Sequence, residues 1–174
     1  NDPQFADLPE IIEDGVTFEE NSIIKSRTIS QHTGGIVLAD DSGLEVDALD
    51  RAPGVYSARY SGEDATDATN REKLLRVLAE QGISSPDDRS ARFRCVLSLT
   101  KNGELLGTWS GALEGGILDH EIGDGGFGYD PIFKPEGFHQ SLAQLSSEEK
   151  NTISHRGRAV QAFLADFSQV ADSI

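Results

Sequence analysis

A short apolar run that ends in two adjacent carboxylates constrains the fold of this chain more than any other segment. Residues 36–39 are Ile, Val, Leu and Ala, and Asp40 and Asp41 follow directly. Gly35 precedes the run and Gly43 follows the acids. Because the run is too short for a convincing helix and is bounded by glycines, it predicts a buried β-strand that stops before the two acids.

The two carboxylates have two explanations. Asp40 and Asp41 repel each other, and desolvation at the end of a buried strand strengthens the repulsion, so a divalent metal would stabilise them. Alternatively, both side chains are solvated in a turn that leaves the strand, which is a common setting for acidic residues. Taken alone, the pair favours the solvated turn.

The charge balance limits the partners. The chain has 15 basic and 30 acidic residues, which gives a formal net charge of −15. Such a surface repels nucleic acid and anionic membranes, so we expect neither a nucleic-acid polymer nor a membrane as a partner. No signal segment opens the chain, and the single cysteine, Cys95, cannot form an internal disulfide. These features predict a cytoplasmic protein.

Three helices are predicted. Thr17, with Glu20 three residues later, has the form of a capping box and predicts a helix that runs to about His32. A second helix is predicted over residues 67–81, and a last one begins near Ser146. The predicted core stripe of the last helix comprises Ile153, Val160, Phe163, Leu164 and Phe167.

The remaining patterns predict strands. Residues 91–100 and 103–114 form two strands joined at Asn102-Gly103, which is a strong hairpin signal. Residues 44–49 alternate apolar and acidic side chains and predict a half-exposed strand. With 174 residues, these elements fit one α/β domain with a mixed sheet.

A glycine-rich segment is a candidate ligand loop. Four of the six residues 123–128 are glycines, which permit positive φ angles and close approach of a ligand to the backbone. Phe127 and Tyr129 offer flat faces for a base, and Asp130, held by Pro131, can accept hydrogen bonds from a ring N–H. Alternatively, the segment is a wide turn whose aromatic side chains fill the core. The density of glycine favours the ligand loop.

A basic cluster opens the last predicted helix. Lys150 and Ser154 are four residues apart and share a helix face, and His155 and Arg156 follow. In such an acidic protein, this cluster suits phosphate oxygens or a base carbonyl. Alternatively, Lys150 is an ordinary surface charge and His155 is bonded to a neighbouring backbone group.

Four motifs in this order resemble the inosine triphosphate pyrophosphatase family, whose members hydrolyse non-canonical purine nucleoside triphosphates. The motifs are residues 39–44 (ADDSGL), 53–60 (PGVYSARY), 126–131 (GFGYDP) and 149–156 (EKNTISHR). The resemblance extends from about Glu13 to Phe167. It implies an elongated mixed β-sheet flanked by helices, with two lobes and a substrate cleft between them, in a homodimer.

The resemblance also implies roles for individual residues. Asp41 would be the catalytic general base, and Glu13, Asp40 and Asp41 would hold Mg²⁺. The substrate would be bound by Ser42, Phe127, Gly128, Tyr129, Asp130, Lys150, His155 and Arg156.

One part of the family pattern has no match. Family members begin with a strand and a loop of the form Thr/Ser-x-x-Asn-x-x-Lys that grips the triphosphate, and no segment here has this form. The sequence also contains no methionine. We therefore expect residues 1–174 to be a single nucleoside triphosphate pyrophosphatase domain that lacks its N-terminal strand and phosphate-binding loop.

The resemblance implies Mg²⁺-dependent hydrolysis of ITP, dITP and XTP to the monophosphate and pyrophosphate. A 6-oxo purine offers an acceptor where adenine offers a donor, so donors such as His155 or Arg156 would select it. Two alternatives remain. The first is a pyrophosphatase for modified pyrimidine nucleotides, and the second is a nucleotide-binding module without turnover.

Overall fold

A computed structural model describes residues 8–171. The predicted domain, residues 1–174, extends outside the described residues at both ends. The helices are α1 (Phe18–Thr33), α2 (Asp67–Glu80), α3 (Ser147–Ile153) and α4 (His155–Ala171). The strands are β1 (Ile36–Val46), β2 (Ser90–Lys101), β3 (Glu104–Ile117) and β4 (Phe133–Pro135). None of the helices within residues 8–171 is long and apolar enough to cross a membrane.

The four strands form one sheet in the order β1-β2-β3-β4. This arrangement confirms the α/β class. The expected mixed sheet is not seen, because every pairing among the described strands is antiparallel. The Asn102-Gly103 hairpin is confirmed, and both residues have positive φ angles, 51° and 83°. This two-residue turn reverses the chain and makes β2 and β3 antiparallel.

β1 differs from its prediction in length. It continues through the two acids as a strand of eleven residues, and Asp40 and Asp41 lie opposite Leu97 and Val96 of β2. The prediction that the carboxylates stand at a strand exit is therefore wrong. The physical reason is tertiary, because β2 supplies hydrogen-bonding partners along the whole length of β1. After Val46 the chain turns into a 3₁₀-helix, so the predicted strand over residues 44–49 ends early.

The two faces of the sheet are packed differently. α1 covers one face through small hydroxyl side chains, and the hydroxyls of Ser22 and Ser26 each lie 2.8 Å from that of Ser98 on β2. α1 begins at the predicted capping box and ends at Gly34, which has a left-handed φ of 66°. The predicted start and end of this helix are confirmed.

The opposite face carries two hydrophobic cores. One core joins Leu44 and Val46 of β1 to Leu74 and Leu78 of α2. The other joins β2 and β3 to α4 and comprises Cys95, Leu97, Leu99, Trp109, Ala159 and Val170. Two cores at two ends of one sheet fit the expected two lobes.

The last predicted helix is divided in two. Ser154 adopts an extended backbone with φ −61° and ψ 144°, which ends α3 before α4 begins. Ile153, Val160 and Phe163 of the predicted stripe pack against the hydrophobic cores. Leu164 and Phe167 are 54% and 42% exposed, in contrast to their prediction as core residues.

α4 lies closest to the sheet at Gly111 of β3. A Cβ atom at this position would lie 2.8 Å from Cβ of Arg158 and closer still to the backbone oxygen of His155 and the backbone nitrogen of Ala159. The missing side chain therefore sets how near the start of α4 approaches β3.

We expect the Gly111→Ala substitution to lower the free energy of unfolding by about 1–3 kcal/mol, because the added methyl group meets rigid backbone atoms. Urea denaturation measures the change. Gly116→Ala, on the same strand, is the matched control, since its Cβ would lie 3.4 Å from the nearest backbone oxygen, that of Arg89. Equal shifts in the two variants would contradict the role of Gly111.

Candidate active site

Asp41 is joined to Glu13 through a lysine. Lys25 of α1 donates hydrogen bonds from Nζ to Asp41 Oδ1 at 2.7 Å and to Glu13 Oε2 at 3.0 Å. The side chains of Asp41 and Lys25 are only 13% and 20% exposed. The structure therefore brings together two of the three predicted metal ligands, and both carboxylates converge on one cationic group.

Lys25 is a site residue that sequence reasoning missed. Apart from Phe18, the buried residues of α1 are polar, and they are Asn21, Ser22, Ser26 and Ser30. This polar stripe in the sequence was the available signal, since a helix that buries hydroxyl groups presents its polar face to the protein. Lys25 lies one turn after Asn21 and Ser22 and extends toward the same face of β1.

Burial and neighbouring charges shift the pKa values of Asp41 and Lys25. Burial raises the pKa of the Asp41 carboxyl, and the hydrogen bond from Lys25 opposes that shift without cancelling it. Burial lowers the pKa of Lys25, but hydrogen bonds to Asp41 and Glu13 outweigh it, so the pKa is raised. Lys25 is therefore a persistent positive charge beside a carboxyl that is more basic than usual.

Asp40 lies on the other face of the sheet. Successive side chains of a strand point to opposite faces, so Asp40 and Asp41 diverge. Asp40 Oδ2 accepts hydrogen bonds from Arg156 of α4, at 2.8 Å from Nη2 and 3.3 Å from Nε. The structure does not bring Asp40 together with Asp41 and Glu13, and no cluster of three potential metal-ligating side chains occurs among residues 8–171.

Ser42 shares the face of Asp40. It is half-buried and lies opposite Cys95 of β2. Burial, reinforced by the negative charge of Asp40, raises the pKa of the Cys95 thiol to about 11. The thiol is therefore protonated and inert at neutral pH, in agreement with its place in the core.

In the Gly126–Asp130 loop, one aromatic side chain fills the core and the other is open to a ligand, so each explanation of the glycine-rich segment holds for one ring. Tyr129 is buried, and its hydroxyl donates to the backbone oxygen of Ser57 at 2.8 Å, so this ring fills the core. Phe127 is 72% exposed and leaves its ring open to a ligand. Asp130 is buried, and its Oδ2 accepts hydrogen bonds from the Phe127 backbone N–H at 3.2 Å and from Lys150 Nζ at 3.2 Å.

Gly126 explains why this loop needs glycine. Its φ is 78°, and a Cβ atom there would lie 2.9 Å from Lys150 Nζ and would collide with the Asp130 carboxylate. The ion pair between Lys150 and Asp130 therefore fits only against a residue without a side chain.

The three basic residues of the last motif have separate partners. Lys150 contacts Asp130, and Arg156 contacts Asp40. The ring of His155 stacks on Phe93 with 5.2 Å between centroids and an interplanar angle of 17°. Burial, reinforced by the charge of Arg156, lowers the pKa of His155 to about 4. At neutral pH this histidine is therefore an uncharged donor or acceptor and not a phosphate-binding cation.

A cavity of about 720 Å³ lies on the Asp41 face of the sheet, toward the end of β1. Its wall includes Phe18, Glu45, Tyr56 and Arg94. None of the predicted site residues lines it, but its wall also includes Val96, which pairs with Asp41 on β2, so the cavity adjoins the Asp41 site.

Comparison with known sequences matches most of the chain. A model of the Ham1 family matches residues 2–166. A dITP/XTP pyrophosphatase of Bacillus licheniformis is 52% identical over 161 residues, which cover 92% of this chain and 81% of the relative. One of Geobacter sulfurreducens is also 52% identical, over 93% of this chain and 79% of the relative.

Solved structures give the same result for the fold. A HAM1 protein from Coxiella burnetii superimposes with a TM-score of 0.86 and is 44% identical, over 93% of this chain and 82% of that one. The Ham1 protein of Staphylococcus aureus gives a TM-score of 0.84 at 43% identity, over 92% of this chain and 81% of that one.

The environment of His155 predicts a pH dependence. Its pKa is about 4 in the folded protein and about 6.5 in an unfolded chain, so the unfolded state binds more protons between these values. The free energy of unfolding should therefore fall as the pH falls from about 6.5 toward 4. Histidine NMR titration measures the folded pKa, and denaturation at several pH values measures the stability.

The matched variant is His155→Phe, which keeps a ring on Phe93 and removes the titrating group. We expect it to flatten the pH dependence of stability in this window. A folded His155 that titrates near its ordinary pKa would contradict the prediction.

Proposed function

The chain belongs to the Ham1 family, and we propose that it hydrolyses the non-canonical purine nucleotides ITP, dITP and XTP to the monophosphate and pyrophosphate. The relatives in Bacillus licheniformis and Geobacter sulfurreducens carry the name dITP/XTP pyrophosphatase, which supports this substrate class. The observation that carries the proposal is the convergence of Glu13 and Asp41 on Lys25 in a half-buried site.

The chemistry requires a base for water and a positive charge for the anion. The water oxygen forms a bond to phosphorus, the bridging bond between the α- and β-phosphates breaks, and pyrophosphate leaves with the electron pair. Asp41 takes the proton from the water, because burial makes its carboxylate more basic than a solvated one. Lys25, beside it, stabilises negative charge that develops on the phosphate oxygens.

Glu13 and Asp41 also fit a magnesium ion. Carboxylate oxygens are ligands that Mg²⁺ prefers, and these two already converge on one cationic group. Bound there, Mg²⁺ would neutralise phosphate charge in a protein that carries an excess of acids. Asp40 is left out of this ligand set, because it lies on the opposite face and is paired with Arg156.

The Gly126–Asp130 loop supplies the base site in this proposal. The exposed ring of Phe127 stacks on the purine. Lys150, held by Asp130, and the uncharged His155 offer hydrogen-bond donors, which a 6-oxo purine satisfies and adenine leaves unpaired. Ser42, Gly128, Tyr129 and Arg156 complete the predicted substrate set, with Tyr129 as a buried support. The homodimer and the cytoplasmic compartment stay predictions.

A panel of nucleoside triphosphates, assayed for released pyrophosphate with and without Mg²⁺, tests the proposed function. We expect turnover only with the metal and a kcat/KM for dITP and XTP that exceeds that for dATP by about 100-fold or more, since a mismatched buried donor is costly. A preference for modified pyrimidine nucleotides, or binding of dITP without product, would contradict the proposal.

The Asp41→Asn substitution should lower kcat by about 10²–10⁴-fold, because the amide cannot accept the proton from water. Circular dichroism and thermal unfolding check that the fold is retained. Asp88→Asn, the same change at an exposed position outside the candidate site, is the matched control and should keep the wild-type rate. A wild-type rate in Asp41→Asn would remove Asp41 from its role as the base.

A further inference from the structure

Two side chains of α2 hold the Gly126–Asp130 loop at a single residue. The backbone N–H of Gly128 donates to Asp67 Oδ2 at 2.7 Å. Its backbone oxygen accepts a hydrogen bond from Arg71 Nη1 at 2.8 Å. The donor and the acceptor of Gly128 are therefore both bound by residues one helical turn apart on α2.

Arg71 is itself fixed by a second, bidentate contact. Its Nε and Nη2 donate to the two carboxylate oxygens of Glu121 at 2.9 Å and 3.1 Å. The Arg71 side chain is only 13% exposed. A planar guanidinium that binds a carboxylate through two nitrogens and a carbonyl through the third has little freedom to rotate.

The bonds from Asp67 and Arg71 act on a residue next to the exposed aromatic ring of the loop. Gly128 lies directly between the exposed Phe127 and the buried Tyr129, and its φ is 58°. A glycine without these contacts has access to many backbone conformations, so the direction of Phe127 would not be fixed by Tyr129 alone. The bonds from Asp67 and Arg71 remove this freedom before any ligand arrives.

We propose that Arg71, fixed by Glu121 and assisted by Asp67, is a positioning residue that orders the Gly126–Asp130 loop for the nucleobase. The inference rests on the proposed function, because it assigns that loop to the base. Arg71 does not touch the base. It lowers the entropic cost of binding by holding the Phe127 ring and the Asp130–Lys150 pair in their bound arrangement.

This role predicts a particular kinetic signature. Loss of order in the loop weakens contacts to the base in the ground state and the transition state alike, so KM rises and kcat changes little. A ligand that carries phosphates but no base is unaffected. Inorganic tripolyphosphate, as a competitive inhibitor, is therefore the internal reference.

The experiment compares Arg71→Ala with the wild-type protein, using dITP as substrate and tripolyphosphate as inhibitor. We expect KM for dITP to rise about 5- to 10-fold, the effect of about one lost hydrogen bond. The value of kcat and the inhibition constant of tripolyphosphate should stay within about twofold, by the same ground-state argument. Arg71→Lys should raise KM by a smaller factor than Arg71→Ala does. An ammonium can still donate to Gly128, but it cannot bind Glu121 through two nitrogens.

Two further variants control for folding. Arg76→Ala removes an exposed arginine from the same helix, where it pairs with Glu80, and should leave KM unchanged. Glu121→Gln, at a half-exposed position, weakens the anchor of Arg71 without removing its bond to Gly128, and should raise KM by a smaller factor than Arg71→Ala. It also tests the role if Arg71→Ala fails to fold.

The outcomes separate this inference from the proposed function. The positioning role would be overturned by an unchanged KM for dITP in Arg71→Ala and Glu121→Gln. It would also be overturned if the inhibition constant of tripolyphosphate rose by the same factor as KM. Absence of dITP hydrolysis by the wild-type protein would overturn the proposed function instead. In that case the dissociation constant of dITP, measured by calorimetry on the same variants, decides the role of Arg71, and absence of dITP binding overturns it too.

Discussion

The antiparallel pairing of β1 with β2 positions the groups of the candidate active site. Along this ladder of eleven residue pairs, side chains alternate between the α1 face and the α4 face. Asp41 is thereby directed toward Lys25 and Glu13, and Asp40 toward Arg156. A shift of one residue in register would exchange the two acids and place Leu44 on the polar face. The hydrophobic cores on the α4 face therefore fix the position of the Asp41 carboxylate.

The two helices that contact this ladder are held at different distances for different reasons. α1 approaches through serine hydroxyls that bond to Ser98, so its lysine can reach Asp41. α4 approaches at Gly111, where no side chain separates it from β3. Because both contacts are close and specific, Lys25 of α1 and Arg156 of α4 are held in place relative to β1.

The predicted base site is built from a different part of the chain. Its loop is tied to α2 through Gly128, to the segment after β1 through the Tyr129 hydroxyl, and to α3 through Lys150. Three separate elements therefore order a loop that glycine would otherwise leave free. The proposed phosphate site and the proposed base site thus depend on different supports, and kinetics can distinguish variants of each.

Local chemistry in the sequence was enough to predict several features. The capping box at Thr17, the turn at Asn102-Gly103 and the glycine at the end of α1 form the structures that their side chains and φ angles favour. These predictions succeeded because their signal lies within a few residues. The metal site of Glu13, Asp40 and Asp41, which the family resemblance implied, stays a prediction, although Glu13 and Asp41 both contact Lys25.

Other features were decided only by tertiary structure. The pairing with β2 extended β1 through the acids and separated Asp40 from Asp41, which local sequence could not predict, since strand pairing is a contact between distant segments. The break at Ser154 divided the last helix, and Leu164 and Phe167 are exposed on α4. The burial of His155 against Phe93 lowers its pKa to about 4, so the ring is uncharged at neutral pH. The sequence by itself indicated the motifs from which the candidate site is built, but it did not indicate Lys25. Packing decided which residues share a site. The burial of a side chain, and the face of the sheet to which it points, depend on contacts with residues far along the chain.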